Sequence, residues 1–358
     1  MRQNYVPIMP PKVFDFDKAI HDALAVYYFP AMDDWSRAIV GPLALQGFQR
    51  SMRQDRDNYH KIVALTNEQG QRWAAHVELG QTVLTRYLEW ALTVDDFASI
   101  FADQDVWAPI PDPLSPGSDL GMPDGRTMRY FGRIDQLISD RNDEYWVVDH
   151  RVVENDWSDI DDFMLDVVGL SHAWALELAY PQLKVAGTVY NELRTHAYGE
   201  HFTDQGQESE ERDKRSMRGA RHLHVRRSPS SDVPQGVQSV FDRTEVVEQE
   251  GNAQFRRTHI RRSRASIADM GIQVAMQALD MRQIQTQVYP NPSVDNCLNC
   301  DYRKPCVALT AGLDPAPILE TDYRKRSQEE FEEESLRWSS GRTGTRAAFG
   351  GRVTKPDP

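Results

Sequence analysis

Cysteine is scarce, at three residues in 358, and the odd count excludes a disulfide framework as the source of stability. Long apolar runs are missing. No window approaches the roughly 18 apolar residues of a membrane span, and residues 1–12 lack the basic-then-apolar plan of a signal peptide. The expectation is a cytoplasmic protein with no membrane partner. Also absent are the G-x-x-x-x-G-K-[ST] loop, the G-x-S-x-G elbow and the H-E-x-x-H helix, which argues against an ATP motor and against the commonest hydrolase and metalloprotease chemistries. No repeat or heptad array points to a solenoid or coiled coil. Positive charge is short as well. With 41 Lys and Arg against 54 Asp and Glu, the formal charge is -13, so the chain as a whole is no basic nucleic-acid coat and any DNA contact must be local.

What is present is an ordinary globular mixture, 40% hydrophobic and 27% charged, long enough for one large α/β domain with insertions or for two modest ones. Two basic clusters stand out. Arg212, Arg215, Arg218 and Arg221 fall in the first, and Arg256, Arg257, Arg261 and Arg262 in the second. Either they neutralise DNA phosphates, or they belong to a solvated insertion and an ordinary basic strand-to-helix turn.

The spacing of apolar residues predicts a helix near Asp17–Tyr28 and a long amphipathic one from Trp73 to about Leu92, with His76 near its start. Five prolines between Trp107 and Asp124 read as a loop. Arg129–Ile138 and Glu144–Val153 flank a polar break and read as a β-hairpin. Asp161–Tyr180 then reads as a helix, Val185–Leu193 as a strand, Glu245–Arg257 as a strand or turn, and Ser266–Met281 as a helix. The predicted organisation is an N-terminal region, 1–70, as a helical lobe; a core, 71–310, with an Arg-rich insertion at 199–242; and a charged helix and flexible tail, 311–358.

The informative pair is Asp135 and Asp149. Each lies seven positions from Asn142, the expected turn, so the two carboxylates should be cross-strand neighbours on one face. Two unpaired carboxylates that close repel, and a divalent cation relieves the repulsion. Such a site suits phosphodiester hydrolysis, because Mg²⁺ or Mn²⁺ lowers the pKa of an attacking water and neutralises charge at phosphorus. The alternative is two exposed strand-end residues, with Asp149 capping a turn.

The residues around the pair resemble a known family. Gly132-Arg133-Ile134-Asp135, followed by Val147-Val148-Asp149-His150-Arg151, is similar to the G-x-I-D and V-V-D-x-K motifs of PD-(D/E)XK nucleases, in the RecB-type and CRISPR-associated exonuclease-like branch. His76 resembles that branch's upstream metal-contacting histidine, and Gly187–Arg194 its third core strand. Cys297, Cys300 and Cys306 resemble the three-cysteine cluster that, with one earlier cysteine, holds a [4Fe-4S] cluster in some members. The resemblance implies an α/β fold with a restriction-endonuclease-like core, a central mixed sheet flanked by helices, with helical N- and C-terminal additions. It implies Mg or Mn held by His76, Asp135, Asp149 and the main-chain carbonyl of His150, and exonuclease-type hydrolysis on DNA ends or single strands, in repair, recombination or phage replication.

Three departures accompany it. Arg151 stands where the family has lysine; a guanidinium cannot accept the water's proton but can stabilise charge. Val168 and His172 stand where active members carry Gln and Tyr. The cysteine set lacks its fourth member, leaving a zinc site completed by a histidine or three reduced thiols as readings. Three functions follow: a metal-dependent deoxyribonuclease, a catalytically silent descendant that holds DNA, or a scaffold whose acidic C-terminal helix, Glu329–Glu334, contacts a protein partner.

Overall fold

The computed structural model describes residues 5–8, 12–123, 125–195, 247–283, 297, 300–327 and 329. In chain order the elements are β1 (Tyr5–Pro7), α1 (Phe16–Tyr27), α2 (Arg37–His60), α3 (Asn67–Val94), β2 (Ala98–Pro109), β3 (Arg129–Ser139), β4 (Tyr145–Val153), α4 (Ile160–Met164), α5 (Val167–Ala179), β5 (Val185–Arg194), β6 (Val247–Gly251), β7 (Phe255–Arg261), α6 (Arg264–Arg282), α7 (Arg303–Thr310), α8 (Ala316–Asp322) and β8 (Tyr323–Lys325). The protein is α/β, with a mixed central sheet flanked by helices. By its internal contacts the chain falls into two units. One comprises 17–49 and 78–282 and carries the sheet; the other takes its described residues from 1–16, 50–77 and 283–358.

The sheet runs β2-β3-β4-β5-β7-β6. Only β4 and β5 in it are parallel, a pairing that cannot be closed by a tight turn and here is bridged by α4 and α5. The β3–β4 hairpin is fixed by its turn. Asp140 accepts from the backbone N–H groups of Asn142 and Glu144 at 2.8 and 2.9 Å, and from the Trp146 indole at 3.2 Å. Asp143 takes a positive φ of 60°, a conformation that Asp tolerates better than most residues. The resulting register pairs Ser139 with Tyr145 and ends at Gln136 with Val148, one step short of the two acids.

β5 is the central strand and is buried almost throughout, so each of its polar side chains needs an internal partner. Glu192 accepts from the Arg256 guanidinium and from Ser158 N–H, and Asn191 donates to Tyr87. Phe163, Tyr190 and Ile260 pack together against this strand, while Ile138, Trp146, Val148 and Val189 form a second cluster. In the other unit β1 pairs antiparallel with β8, and Tyr302 donates to Tyr5 O at 2.5 Å. Among the described residues no helix is long and apolar enough to cross a membrane. Residues 199–242 and Glu330–Glu334 lie outside the described residues.

Several elements differ from expectation. The stretch from Trp107 is not all loop: β2 extends to Pro109, its apolar alternation broken in sequence by Asp103, Gln104 and Asp105. α2 was not foreseen, because Pro42 and Gly47 interrupt the pattern by which a helix is recognised. The helix expected over 161–180 is two helices, since Asp166 breaks α4 and caps α5.

Gly187 leaves no room for a side chain between β5 and β7, since a Cβ there would lie 2.1 Å from Ile260 O and 2.8 Å from Arg261 Cα. Backbone atoms cannot rotate away. Gly187→Ala is expected to destabilise by about 1 to 3 kcal/mol in urea unfolding, whereas Gly70→Ala, in α3 with nothing within 4 Å, should be neutral or stabilising.

Candidate active site

Asp135 sits where β3 leaves its ladder with β4. Its Oδ2 accepts the His150 backbone N–H at 2.9 Å, a bond made by the side chain one step beyond the last strand pair. His21, from α1, completes the cluster. Its Nε2 lies 2.8 Å from the His150 carbonyl oxygen and 3.3 Å from Asp135 Oδ2, and its Nδ1 lies 2.8 Å from Asp17 O. Both ring nitrogens therefore face acceptors, which favours the imidazolium. Burial opposes that charge, but the bond to Asp135 and the charges of Asp135 and Asp17 outweigh it and hold the His21 pKa well above its ordinary value. Asp135 responds in the opposite sense: burial pushes it up, and the bond from His21 together with the local positive potential pulls it below the usual carboxylate range.

Asp149 has a different environment. Burial pushes its carboxyl up to about 6, with Asp135 and Asp166 adding repulsion that Arg151 only partly offsets. Arg151 Nε donates to Asp149 Oδ2 at 2.6 Å and Nη2 to Asp166 Oδ2 at 3.0 Å. Period-two alternation along β4 puts residues 149 and 151 on one side, so this contact follows from the strand itself. Asp166 also caps α5, accepting from Val168 N–H at 3.0 Å and Gly169 N–H at 3.4 Å. Tyr190 donates to it at 2.9 Å. His172, one turn along α5, lies against Gly132: a Cβ there would be 2.9 Å from its ring. Gly132 thus keeps the space this imidazole fills. Val168 is exposed.

The histidine placed at Asp135 is His21, where the sequence resemblance pointed to His76. His76 belongs to the other unit, where its ring packs on Phe14 and Phe16 at 5.0 and 5.5 Å and its Nδ1 meets Arg72 O. A weak signal for His21 was in the sequence: it adjoins the apolar stripe Ala19, Ile20, Ala23 and Leu24 of a predicted helix, four residues after Asp17. Asp166 was missed although an Asp ahead of an apolar helix is a recognisable N-cap.

In the second arginine cluster each guanidinium has partners within the protein. Arg257 is 3% exposed and donates to Asn191, Tyr28 and Tyr87, with Asp95 at 2.6 Å. Arg262 donates to Phe163 O, Met164 O and Tyr190. Arg256 is held by Glu192 and Ser158 O, and Arg261 by Glu144. These guanidiniums are committed to internal acceptors. Arg212, Arg215, Arg218 and Arg221 lie outside the described residues. Cys297, Cys300 and Cys306 are free and half-buried; Cys300 N–H makes a long contact to Cys297 O at 3.4 Å, and Cys306 N–H donates to Tyr302 O at 3.1 Å. Among the described residues no group of three or more His, Cys, Asp or Glu is placed to hold a metal ion.

The donors around Asp135 nevertheless have the chemistry such an ion needs. His21 Nε2 lies within reach of both Asp135 Oδ2 and the His150 carbonyl; the carboxylate and the carbonyl suit Mg²⁺ or Mn²⁺, and the imidazole favours the transition metal of the two. As placed, the positive charge among them is the His21 proton. His150 turns its own ring away to another task. Asn191 donates to its Nδ1 at 2.8 Å, which puts the proton of the neutral ring on Nε2, and burial lowers its pKa to about 3. That ring lines a cavity of about 380 Å³ together with Tyr28, Tyr87, Gln136, Trp146 and Arg257.

His259 lines the same cavity, and burial lowers its pKa to about 4. The unfolded chain, with His near 6.5, binds a proton that the folded protein refuses between those values, so this group lowers stability as pH falls from 6.5 to 4. Asp149, raised to about 6, acts in the opposite direction over part of that window. The difference between two proteins isolates the imidazole. His259→Phe, which keeps a ring against Trp146, should lose less stability than the parent on acidification, by up to about 1.4 kcal/mol per pH unit. Urea unfolding at pH 7, 6 and 5 measures it; parallel curves would refute the assignment.

The chain matches no protein-family model, and no curated protein matches it in sequence.

Proposed function

We propose that this protein is a metal-dependent deoxyribonuclease with a PD-(D/E)XK core, hydrolysing phosphodiester bonds at DNA ends or in single strands. The observation that carries this reading is the delivery of His21, from a separate helix, onto Asp135 and the carbonyl of the residue after Asp149. Those are a histidine, the first acid and the main-chain carbonyl of the set the sequence resemblance calls for, with the histidine supplied by a residue the resemblance did not single out. The order of β2, β3 and β4, then α5, then the parallel strand β5 supports the same core.

On this reading His21, Asp135, Asp149 and the His150 carbonyl hold one divalent ion. Bound there, it would polarise the attacking water and offset charge on the scissile phosphate. The chain's own residues do the rest. His21 must give up its Nε2 proton to become a ligand, so loading is coupled to proton release. Arg151 remains cationic at every working pH and provides fixed positive charge beside the reacting phosphate, but cannot serve as a base. His172, neutral because burial lowers its pKa, offers a hydrogen bond without added charge at the side of Gly132.

A second reading keeps the fold for holding DNA without cleaving it, and the observation behind it is that Arg151 already satisfies Asp149. The two separate in one experiment. End-labelled single- and double-stranded DNA is incubated with Mn²⁺ and the parent, Asp149→Ala or His21→Ala proteins. The nuclease reading expects cleavage that falls by roughly 100-fold or more in each variant. Salt-sensitive retention of label by all three proteins, with no cleavage, would establish the second reading instead.

A further inference from the structure

We infer that Arg151 is a built-in cation that takes the place a second metal ion would otherwise fill between Asp149 and Asp166. This rests on the nuclease reading and adds to it a definite ion requirement: one exchangeable metal, with the other positive charge supplied by the chain.

The geometry is that of a bridge. One guanidinium spans two carboxylates on different elements, Nε to Asp149 Oδ2 at 2.6 Å and Nη2 to Asp166 Oδ2 at 3.0 Å. The bridge is held in place from both ends. Phe163 and Tyr190 stack at 4.1 Å, and the Arg151 guanidinium carbon lies 5.1 and 4.8 Å from their ring centroids. Tyr190 in turn donates to Asp166 and accepts from Arg262. Asp166 is 11% exposed and anchored to the start of α5, so it cannot swing into water if its partner is removed. A partly buried carboxylate pair stripped of the cation it shares is strongly destabilised unless another cation enters. A guanidinium is planar, permanently charged and matched to two carboxylates at once, which a lysine ammonium is not. The exchange of lysine for arginine at this position therefore gains a function that fits its surroundings: it closes the Asp149–Asp166 gap and leaves the His21–Asp135 side open to a single ion.

The test counts ions without relying on cleavage. Mn²⁺ is titrated into the full-length protein, and free Mn²⁺ is followed by electron paramagnetic resonance, beside isothermal calorimetry. The parent should bind one ion. Arg151→Gln, which keeps a polar side chain about as long as the stem up to Nε but no charge, should bind two, and Arg151→Gln with Asp166→Asn should return to one; Asn remains a good helix cap, so α5 is preserved. Two ions in the parent, or one in both the parent and Arg151→Gln, would overturn the inference while leaving the metal-dependent reading intact. No ion in the parent would overturn both. If Arg151→Gln does not fold, as judged by circular dichroism, Arg151→Lys decides the matter: an ammonium does not span both carboxylates, so this variant should bind a second ion, and one ion would overturn the proposal.

Discussion

The peptide of His150 is the point on which the site depends. Its N–H is committed to Asp135, its carbonyl to His21, and its ring to Asn191. Backbone groups have no rotamers to change, so these bonds fix the two acids and the histidine relative to one another more rigidly than side-chain contacts alone would. The ladder between β3 and β4 stops one pair early because Asp135 replaces the next backbone bond. The sheet thus opens where the carboxylates need room.

Around that peptide the protein buries several charged side chains against partners of its own. Asn191 joins His150 to Arg257, which reaches Tyr28, Tyr87 and Asp95. Arg256 and Glu192, with Arg262 and Tyr190, do the same beside α4 and α5. Breaking one member of such a network leaves its partner uncompensated in a poorly hydrated place, so these residues specify the arrangement of strands and helices even where their net contribution to stability is small. The basic run in β7 is dense in the sequence for this reason.

What the sequence discloses is local. The hairpin, its turn near Asn142, the α1 helix and the β5 strand were legible because each follows from periodicity or turn chemistry within about a dozen residues, and Asp135 and Asp149 were legible because they share that hairpin. His21 was not, since it comes from a helix more than a hundred positions away (135 minus 21) and nothing in the spacing of α1 says which sheet residue its flank will meet. The roles of Arg256 to Arg262 were hidden for a related reason. A run of like charges looks the same in sequence whether its partners are phosphates or Glu144, Glu192 and Asp95. β2 was obscured by its acidic middle, which includes Asp103, whose carboxylate holds Arg133.

Asp166 does two jobs with one carboxylate. It starts α5 by capping two N–H groups, and it restrains the Arg151 guanidinium. Under selection, such a residue ties two properties that elsewhere drift separately. Apart from asparagine, which still caps, a substitution that frees the arginine also loosens the helix, so variation at this position should be narrow and change there should come with compensating change at residue 151.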